Sequence, residues 1–230
     1  MILKCVAPLF VVLGAILSEY TGLDEYLARL VYDPATQSWP WKNNFWTAGV
    51  LHNFGKDLVV YIMAAIFLFF IASFFIKKIR PFRKGAFFMI AGGLSGVAIV
   101  SLLKNTTHIY TPWDLSIFGG DRPHVLLFDS APKGLPVGYA FPGGHSSGGF
   151  SFLTLYFLLE YYKPKYKYYG LLVGLGLGGL FAMAQELRGA HFLSHDLFSM
   201  VICWYSAMAI FELMYHKEKK EGRKKVPAEG

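Results

Sequence analysis

Cysteine is nearly absent from this sequence: only Cys5 and Cys203 occur among its 230 residues, and both lie inside apolar runs. Two such residues provide neither a disulfide framework nor a thiolate metal motif, so we interpret both as small core residues. Charged residues are also scarce, at 16% of the chain, whereas hydrophobic residues make up 54%. This balance excludes an ordinary soluble domain and indicates a membrane protein, because the apolar residues form blocks long enough to cross a bilayer.

Six apolar blocks predict an all-α protein with six transmembrane helices. Residues 20–57, which are rich in tryptophan and tyrosine, are predicted to form an external loop at the membrane interface. The chain has no internal repeat, so residues 1–230 are predicted to form a single membrane domain. The predicted spans are residues 2–19, 58–76, 85–103, 147–162, 169–187 and 196–215. In the fifth span, close helix packing is predicted at Gly170, Gly174, Gly176, Gly178 and Gly179.

Basic residues alternate between the loops. Of the 22 lysines and arginines, 14 lie in residues 77–84, in residues 163–167 or in the tail. This distribution predicts that both termini are cytoplasmic and that residues 216–230 form a basic cytoplasmic tail. The tail lacks the aromatic or groove-reading residues of a nucleic-acid site, so we interpret the net charge of +7 as a topology signal and expect no nucleic-acid partner. Six of the seven histidines fall on the opposite, external side: His52, His108, His124, His145, His191 and His195.

Three polar groups converge on that external side. Lys104 ends the third span, and a loop rich in proline and glycine follows it. The stretch Phe141–His145 contains Pro-Gly-Gly immediately before the fourth span, and backbone N–H groups at such a turn and helix start suit an oxyanion or a phosphate. The stretch Arg188–Asp196 is a polar island between two apolar runs. Ionisable groups at such a place are costly to desolvate and therefore indicate a function.

The third stretch has two interpretations. If it is helical, Arg188, His191 and His195 lie on one face. The two histidines also have the spacing of metal ligands. We favour an anion site without a metal, because Arg188 and Lys104 would repel a cation and attract phosphate oxygens. Further ligands for the metal alternative would be Asp196, His145 and Asp114.

The ordered set of motifs resembles the type 2 phosphatidic acid phosphatase (PAP2) family, which shares its site with vanadium-dependent haloperoxidases. The family motifs are Lys, six residues, Arg-Pro; then Pro-Ser-Gly-His; then Ser-Arg, five residues, His, three residues, Asp. The resemblance covers about residues 58–215 and includes the layout of six spans and the order of the motifs. It implies a PAP2-like helical bundle and a lipid phosphatase; haloperoxidase activity is not expected, because those relatives are mostly soluble.

The resemblance implies a role for each matching position. Lys104 matches the lysine that binds the phosphate, and His145 matches the histidine that protonates the leaving oxygen. Gly143 replaces the motif serine, so one hydroxyl contact is lost, but Gly144 keeps its backbone donor, and the amides of Gly143 and Gly144 are both expected to bind the phosphate. His191 matches the nucleophilic histidine.

The third motif departs from the family pattern at two positions. Gln185 stands where the family has arginine, and Arg188, three residues further on, is predicted to reach the same phosphate. His195 stands at the aspartate position with Asp196 beside it, so both are candidates to orient His191.

The first motif lacks its arginine, because Thr111 stands at that position. Arg122 belongs to a second Arg-Pro in the same loop, and one hypothesis is that it folds back onto the phosphate. The alternative is a solvent-facing Arg122 paired with Asp121.

Together with this resemblance, the residues predict a metal-independent lipid phosphatase without a cofactor, acting through a phosphohistidine at the periplasmic face of a bacterial inner membrane. The substrates implied are lipid A phosphate, phosphatidylglycerophosphate, phosphatidic acid or undecaprenyl pyrophosphate, and the motif substitutions resemble the divergent bacterial branch that includes lipid A phosphatases. The alternatives are a lipid phosphotransferase that uses the same intermediate, a catalytically inactive relative, and a histidine-rich transporter or metal-binding membrane protein. The oligomeric state is left open.

Overall fold

The computed structural model describes residues 2–130 and 132–220, and all the regular elements within these residues are helices. The prediction of an all-α protein is therefore confirmed. The α-helices are α1 (Ile2–Tyr20), α2 (Leu23–Arg29), α3 (Gly55–Phe75), α4 (Arg83–Lys104), α5 (Gly144–Phe150), α6 (Thr154–Tyr162), α7 (Lys167–Leu187) and α8 (Leu193–Lys220). A π-helix, Phe45–Phe54, runs directly into α3. The 3₁₀-helices are Lys77–Phe82, Pro112–Asp114, Ser116–Phe118, Ser151–Leu153 and Pro164–Tyr166.

Four described helices are long and apolar enough to cross a membrane: Phe45–Phe75, Lys77–Lys104, Pro164–Leu187 and Leu193–His216. The pair α1 and α2 would be a fifth, with a bend of 66° between the two helices. A membrane protein is thus supported, but the predicted count of six spans is not confirmed.

The predicted fourth span, residues 147–162, is the central helical stretch of the bundle. It is not among the described helices that are long and apolar enough to cross a membrane. It consists of α5, one 3₁₀ turn and α6, and most of its residues are buried. Its hydroxyl groups lower its apolar character, but they can be buried because they donate to backbone carbonyls of their own helix. Three examples are Ser147 to Gly144 (2.7 Å), Ser151 to Gly148 (2.7 Å) and Thr154 to Ser151 (2.8 Å).

Residues 20–57 are more than the predicted external loop, since they contain α2 and the π-helix. The π-helix begins after Asn44, whose side chain accepts a hydrogen bond of 2.9 Å from the Trp46 amide. Because this segment is apolar and continuous with α3, the second candidate span begins at Phe45 and not at residue 58. The π-helix thus lengthens this span at the end where it contacts His145.

One end of the bundle is basic. The turns from α3 to α4 and from α6 to α7 lie there, and Lys84 of α4 pairs with Glu218 near the end of α8 at 2.8 Å. Lys4 near the start of α1 pairs with Glu160 of α6, so both described ends of the chain lie on this side of the bundle. The predicted sidedness of the termini fits this arrangement and stays a prediction. The basic residues Arg223, Lys224 and Lys225 of the tail lie outside the described residues.

Glycines of α7 allow its close contact with the central helix at Gly170, Gly174 and Gly178. These positions are four residues apart and therefore lie on one face of α7. A Cβ at Gly178 would stand 2.0 Å from the ring of Phe150, so a larger residue would force the helices apart. Gly176 and Gly179 lie off this face and meet no heavy atom within 4 Å, so the packing prediction holds for three of its five glycines.

The loop between α4 and α5 folds over the other end of the bundle. Its aromatic residues pack against the N-terminal segment; Phe118, for example, lies 5.2 Å from both Tyr32 and Trp39, measured between ring centroids. The same core contains Phe192, which directly follows His191. This packing holds the turn between α7 and α8 in place.

Candidate active site

A cavity of about 730 Å³ opens at the end of the bundle opposite the basic end. It lies where α4 and α7 end and where α3 and α5 begin. Four of the predicted site residues line it: Lys104, Gly144, His145 and His191. Four polar residues to which the sequence analysis gave no role there line it as well: His52, Lys56, Thr111 and Gln185.

Lys104 is the last residue of α4, and its ammonium group lies against the first residue of α5. A Cβ at Gly144 would stand 3.2 Å from Lys104 Nζ, so a side chain there would crowd the cation. The positive charge therefore lies beside the first turn of α5, whose N–H groups have no intrahelical partner. A cation and free backbone donors at one point favour an anion.

The stretch around the predicted nucleophile is not helical. Helix α7 ends in a Schellman motif, in which Ala190 N donates to Gln185 O (2.8 Å) and Gly189 N donates to Glu186 O (3.0 Å). Gly189 adopts a φ of 73°, which other residues rarely adopt. The helix that would place Arg188, His191 and His195 on one face is therefore not formed, because Gly189, which permits a left-handed conformation, ends α7 between Arg188 and His191.

His191 lies in this turn and is buried, with 6% of its surface exposed. Burial lowers the pKa of its imidazole well below the ordinary 6.5, and the nearby charge of Lys104 lowers it further. Both effects favour the neutral ring, which is the form that a nucleophile needs. Its Nδ1 is enclosed and has no hydrogen-bond partner among the described residues. Nε2 is not among the enclosed atoms, and we therefore take it as the candidate nucleophile.

Neither candidate for orienting His191 makes a hydrogen bond to it. The ring of His195 stands edge-on to that of His191, with 5.8 Å between centroids. Asp196 instead accepts a hydrogen bond of 2.5 Å from the hydroxyl of Ser146. On its far side, His191 borders a second cavity of about 180 Å³, which is also lined by Asp24 and Glu186.

Gly143 does not offer its amide to a ligand, contrary to the prediction. The Gly143 N–H donates to the carbonyl of His195 at 3.0 Å. A Cβ at Gly143 would stand 2.0 Å from Asp196 Oδ1, so the carboxylate fills the space of a side chain at the motif's serine position. Gly143 and Asp196 both depart from the family pattern, and the two departures are linked because the Asp196 side chain occupies the space that Gly143 leaves free. Gly144 alone remains as the predicted glycine donor.

Arg188 lies behind the cavity wall rather than in its lining. Its guanidinium donates to the carbonyl of Lys42 (3.0 Å) and to Gln185 Oε1 (3.1 Å). It is still close enough to His52 and His145 to interact with both electrostatically. Its charge adds to the positive potential of the cavity without a direct place for a phosphate oxygen.

Arg122 lies away from the cavity. Its side chain pairs with Asp121 at 3.3 Å and lies over the ring of Tyr110, 5.8 Å from the centroid. Arg122 therefore forms the ion pair with Asp121 that was the alternative to phosphate binding. The hydroxyl of Thr111, at the position of the missing motif arginine, lines the cavity and donates to Asp114 Oδ2 at 2.5 Å.

His145 is the second residue of α5, and its ring is hydrogen-bonded to the π-helix. Its Nε2 lies 3.1 Å from the carbonyl oxygen of Leu51. Since a carbonyl only accepts, Nε2 carries the hydrogen and Nδ1 is left to exchange a proton with a ligand. The ring stacks on His52 at 4.6 Å and 9°, and lies 4.8 Å from the ring of Phe181.

The metal-binding alternative finds no ligand set in residues 2–130 and 132–220. No group of three or more His, Cys, Asp or Glu side chains there is arranged to hold a metal ion. His191 and His195 have the sequence spacing of ligands, but their rings meet edge to face.

The contribution of the segment before α3 was not predicted from the sequence. His52 and Lys56 belong to no motif, and residues 20–57 read as a loop. The available signal was the apolar run Phe45–Val50, which extends the second span outward and brings both residues to its external end.

Comparison with known proteins identifies a family and a similar protein. The model of the PAP2 superfamily matches residues 84–219. The lipid A 4'-phosphatase of Francisella tularensis subsp. novicida (strain U112) is 28% identical over 177 residues, which are 74% of this chain and 77% of that protein. No solved structure matches the chain. Lys104, His145 and His191 fall inside the matched residues, whereas His52 and Lys56 precede them.

Proposed function

Because this chain belongs to the PAP2 superfamily, we propose that it is an integral-membrane phosphatase that hydrolyses a phosphate ester of a membrane lipid. The observation that carries this proposal is that two imidazoles, of His145 and His191, and the ammonium group of Lys104 line one cavity. The relative named as a lipid A 4'-phosphatase supports a lipid substrate and makes a lipid A phosphate the first to test.

The reaction proceeds in two steps. The neutral Nε2 of His191 attacks phosphorus, and the bond from phosphorus to the lipid oxygen breaks as the N–P bond forms. His145, protonated on both ring nitrogens at this stage, gives the proton on Nδ1 to the departing oxygen and becomes neutral, so the lipid leaves as an alcohol. Water then attacks the phosphohistidine, His145 takes up its proton, and inorganic phosphate leaves. The neutral state of buried His191 suits the first step, because a protonated ring has no free electron pair.

Positive charge around the cavity stabilises the oxygens of the transferring group. Lys104 is placed to contact them, together with the amide of Gly144. Lys56 also lines the cavity and takes the part expected of the missing motif arginine, while Arg188 acts at longer range. Removing one well-placed donor of this kind costs roughly 2.7–4 kcal/mol of transition-state stabilisation.

The rest of the cavity suits a lipid. Its wall continues along apolar side chains of α3 and α4, and Trp113 and Tyr139 stand at the side of the loop. A phosphate held by Lys104 then has an apolar passage beside it for the hydrocarbon part of the substrate. The apolar lining residues of α3 and α4 are Val59, Val60, Met63, Leu94 and Val97. With the termini in the cytoplasm, as the basic residues predict, this site faces the periplasm.

The test combines a cellular and a purified assay. Mass spectrometry of membrane lipids from cells with the wild-type gene, with His191→Ala or without the gene should show one phosphorylated lipid that accumulates in the last two. Purified wild-type protein in lipid nanodiscs should release phosphate from that lipid, resist EDTA and be inhibited by vanadate, which mimics a phosphoryl transition state. Arg122→Ala, which changes a charge outside the cavity, is the matched control and should be active.

Other outcomes separate the competing functions. Loss of activity in EDTA would indicate a metal site, and transfer of phosphate to a second lipid without release would indicate a phosphotransferase. An unchanged lipid profile in the His191→Ala strain, with no phosphate release by the wild-type protein, would contradict the proposal.

A further inference from the structure

The π-helix Phe45–Phe54 reaches His145 with two of its residues. The Leu51 carbonyl holds one ring nitrogen of His145 at 3.1 Å, and the ring of His52 stacks flat on the imidazole at 4.6 Å. These contacts come from a segment that precedes the residues matched by the family model. The same segment continues into α3 without a break, so these contacts come from a helix and not from a loop.

The helix junction is itself tightly packed. A Cβ at Gly55 would stand 2.6 Å from the ring of Phe181, and that ring lies 4.8 Å from the ring of His145. Only a glycine lets α3 approach α7 so closely. The imidazole of His145 therefore contacts two rings whose own positions are determined by helix packing.

Orientation matters for a proton donor. A general acid must present its N–H to the leaving oxygen within hydrogen-bond distance, and a rotated ring would present a carbon atom instead. His145 sits in the first turn of α5, where the helix leaves its side chain free to rotate into the cavity. A hydrogen bond at Nε2 and a stacked ring together remove this rotation and direct Nδ1 towards the substrate.

We propose that His52 is a positioning residue for the general acid of this enzyme: its ring, stacked on His145, holds the imidazole in the orientation that protonates the leaving lipid oxygen. This inference rests on the proposed phosphatase function. His52 lines the same cavity but is assigned no step of its own in the reaction, and its Nδ1 is engaged with Asn53 Oδ1 at 3.2 Å. His52 acts on His145 through the stacking of the two rings.

Substrates whose leaving groups differ in basicity distinguish a loss of general acid catalysis from a general loss of active-site structure. An alkoxide needs a proton as it leaves, whereas 4-nitrophenolate is stable enough to leave without one. The wild-type protein and its variants are therefore assayed in nanodiscs on two substrates: a lipid phosphomonoester and 4-nitrophenyl phosphate. His145→Ala defines the loss of the acid, which should be about 10²–10⁴-fold on the lipid substrate and much smaller on the aryl substrate.

The central variant is His52→Leu, which keeps the volume but removes the flat ring. It should lower kcat on the lipid substrate about tenfold or more with little change in KM, and should affect the aryl substrate much less, as partial loss of general acid catalysis predicts. In a His145→Ala background it should have no further effect, because its role goes through that residue. His52→Phe, which restores a flat ring, should recover most of the activity, and His108→Leu should leave both activities unchanged.

Three patterns of lost activity would overturn the inference. These are an equal loss on both substrates, a loss in His52→Leu that adds to that of His145→Ala, and a His52→Phe variant as defective as His52→Leu although both unfold at the wild-type temperature. A wild-type protein inactive on both substrates would instead overturn the proposed function, and this inference with it. Wild-type kinetics in His52→Leu would overturn the inference alone.

Discussion

Replacing Gly143 by the serine found in the family motif should damage this protein. A Cβ at Gly143 would stand 2.0 Å from Asp196 Oδ1 and 3.1 Å from its Cγ, far inside van der Waals contact. Asp196 is buried, with 2% of its surface exposed, and its carboxylate accepts the hydrogen bond of Ser146, so it has little freedom to move away. The residue that the rest of the family uses is thus excluded here by a neighbour.

The cost follows from the overlap. Inserting atoms into a well-packed site typically costs about 1–3 kcal/mol, and here a shifted Asp196 would also strain the hydrogen bond to Ser146. The turn that presents Gly144 and His145 to the cavity begins at Gly143, so we expect a loss of kcat/KM as well as of stability. Gly176→Ser is the matched control, because a Cβ at Gly176 meets no heavy atom within 4 Å.

The assay is thermal unfolding in nanodiscs, together with phosphate release from the lipid substrate. Gly143→Ser should unfold at a lower temperature than the wild-type protein, and Gly176→Ser should not. Removing the carboxylate by Asp196→Ala should reduce the effect of the serine, with a coupling of about 0.5–3 kcal/mol between the two sites. The reasoning would be refuted if Gly143→Ser matched the wild-type protein in both assays, or if the two substitutions were additive.

The remaining predictions concern the charges of the cavity. Lys104→Met should lower kcat/KM about 10²-fold or more, as expected for a lost oxyanion donor, and activity within a factor of about two would remove Lys104 from the site. Arg122→Ala should keep wild-type kinetics because its ion pair with Asp121 lies outside the cavity; a loss comparable to that of Lys104→Met would restore the phosphate-binding hypothesis. Burial lowers the pKa of His191, so the ring stays neutral as the pH falls through the ordinary value of 6.5. The acid limb of kcat/KM in the wild-type protein should therefore lie below pH 6.5, and an acid limb above pH 6.5 would contradict this effect of burial.

The helices could largely be read from the sequence, because long apolar blocks between basic clusters leave few alternatives. The central helical stretch is the exception. Its serines and threonine made the fourth block the least apolar of the six, and only the packing of α4, α7 and α8 around it explains why it is buried. The π-helix was missed for the opposite reason: an apolar run beside several tryptophans resembles an interfacial loop until it is seen to continue into α3.

The candidate site was predictable where a motif carries the chemistry, as at Lys104, His145 and His191. It was not predictable where packing replaces a motif residue. The packing of Gly143 against Asp196 is a contact between residues 53 positions apart in the sequence. The stacking of His52 on His145 is a contact between residues 93 positions apart. The placement of Arg188 was missed because the helical periodicity assumed for it ends at Gly189.

The most direct test of this account is to trap the phosphorylated protein. Wild-type protein mixed with a lipid substrate labelled with ³²P in its phosphate and quenched in alkali within milliseconds should carry the label on the peptide that contains His191. The label should be absent in His191→Ala and should disappear from the wild-type protein as phosphate is released. Label on another residue, or release of phosphate by His191→Ala at the wild-type rate, would contradict the assignment of His191 as the nucleophile.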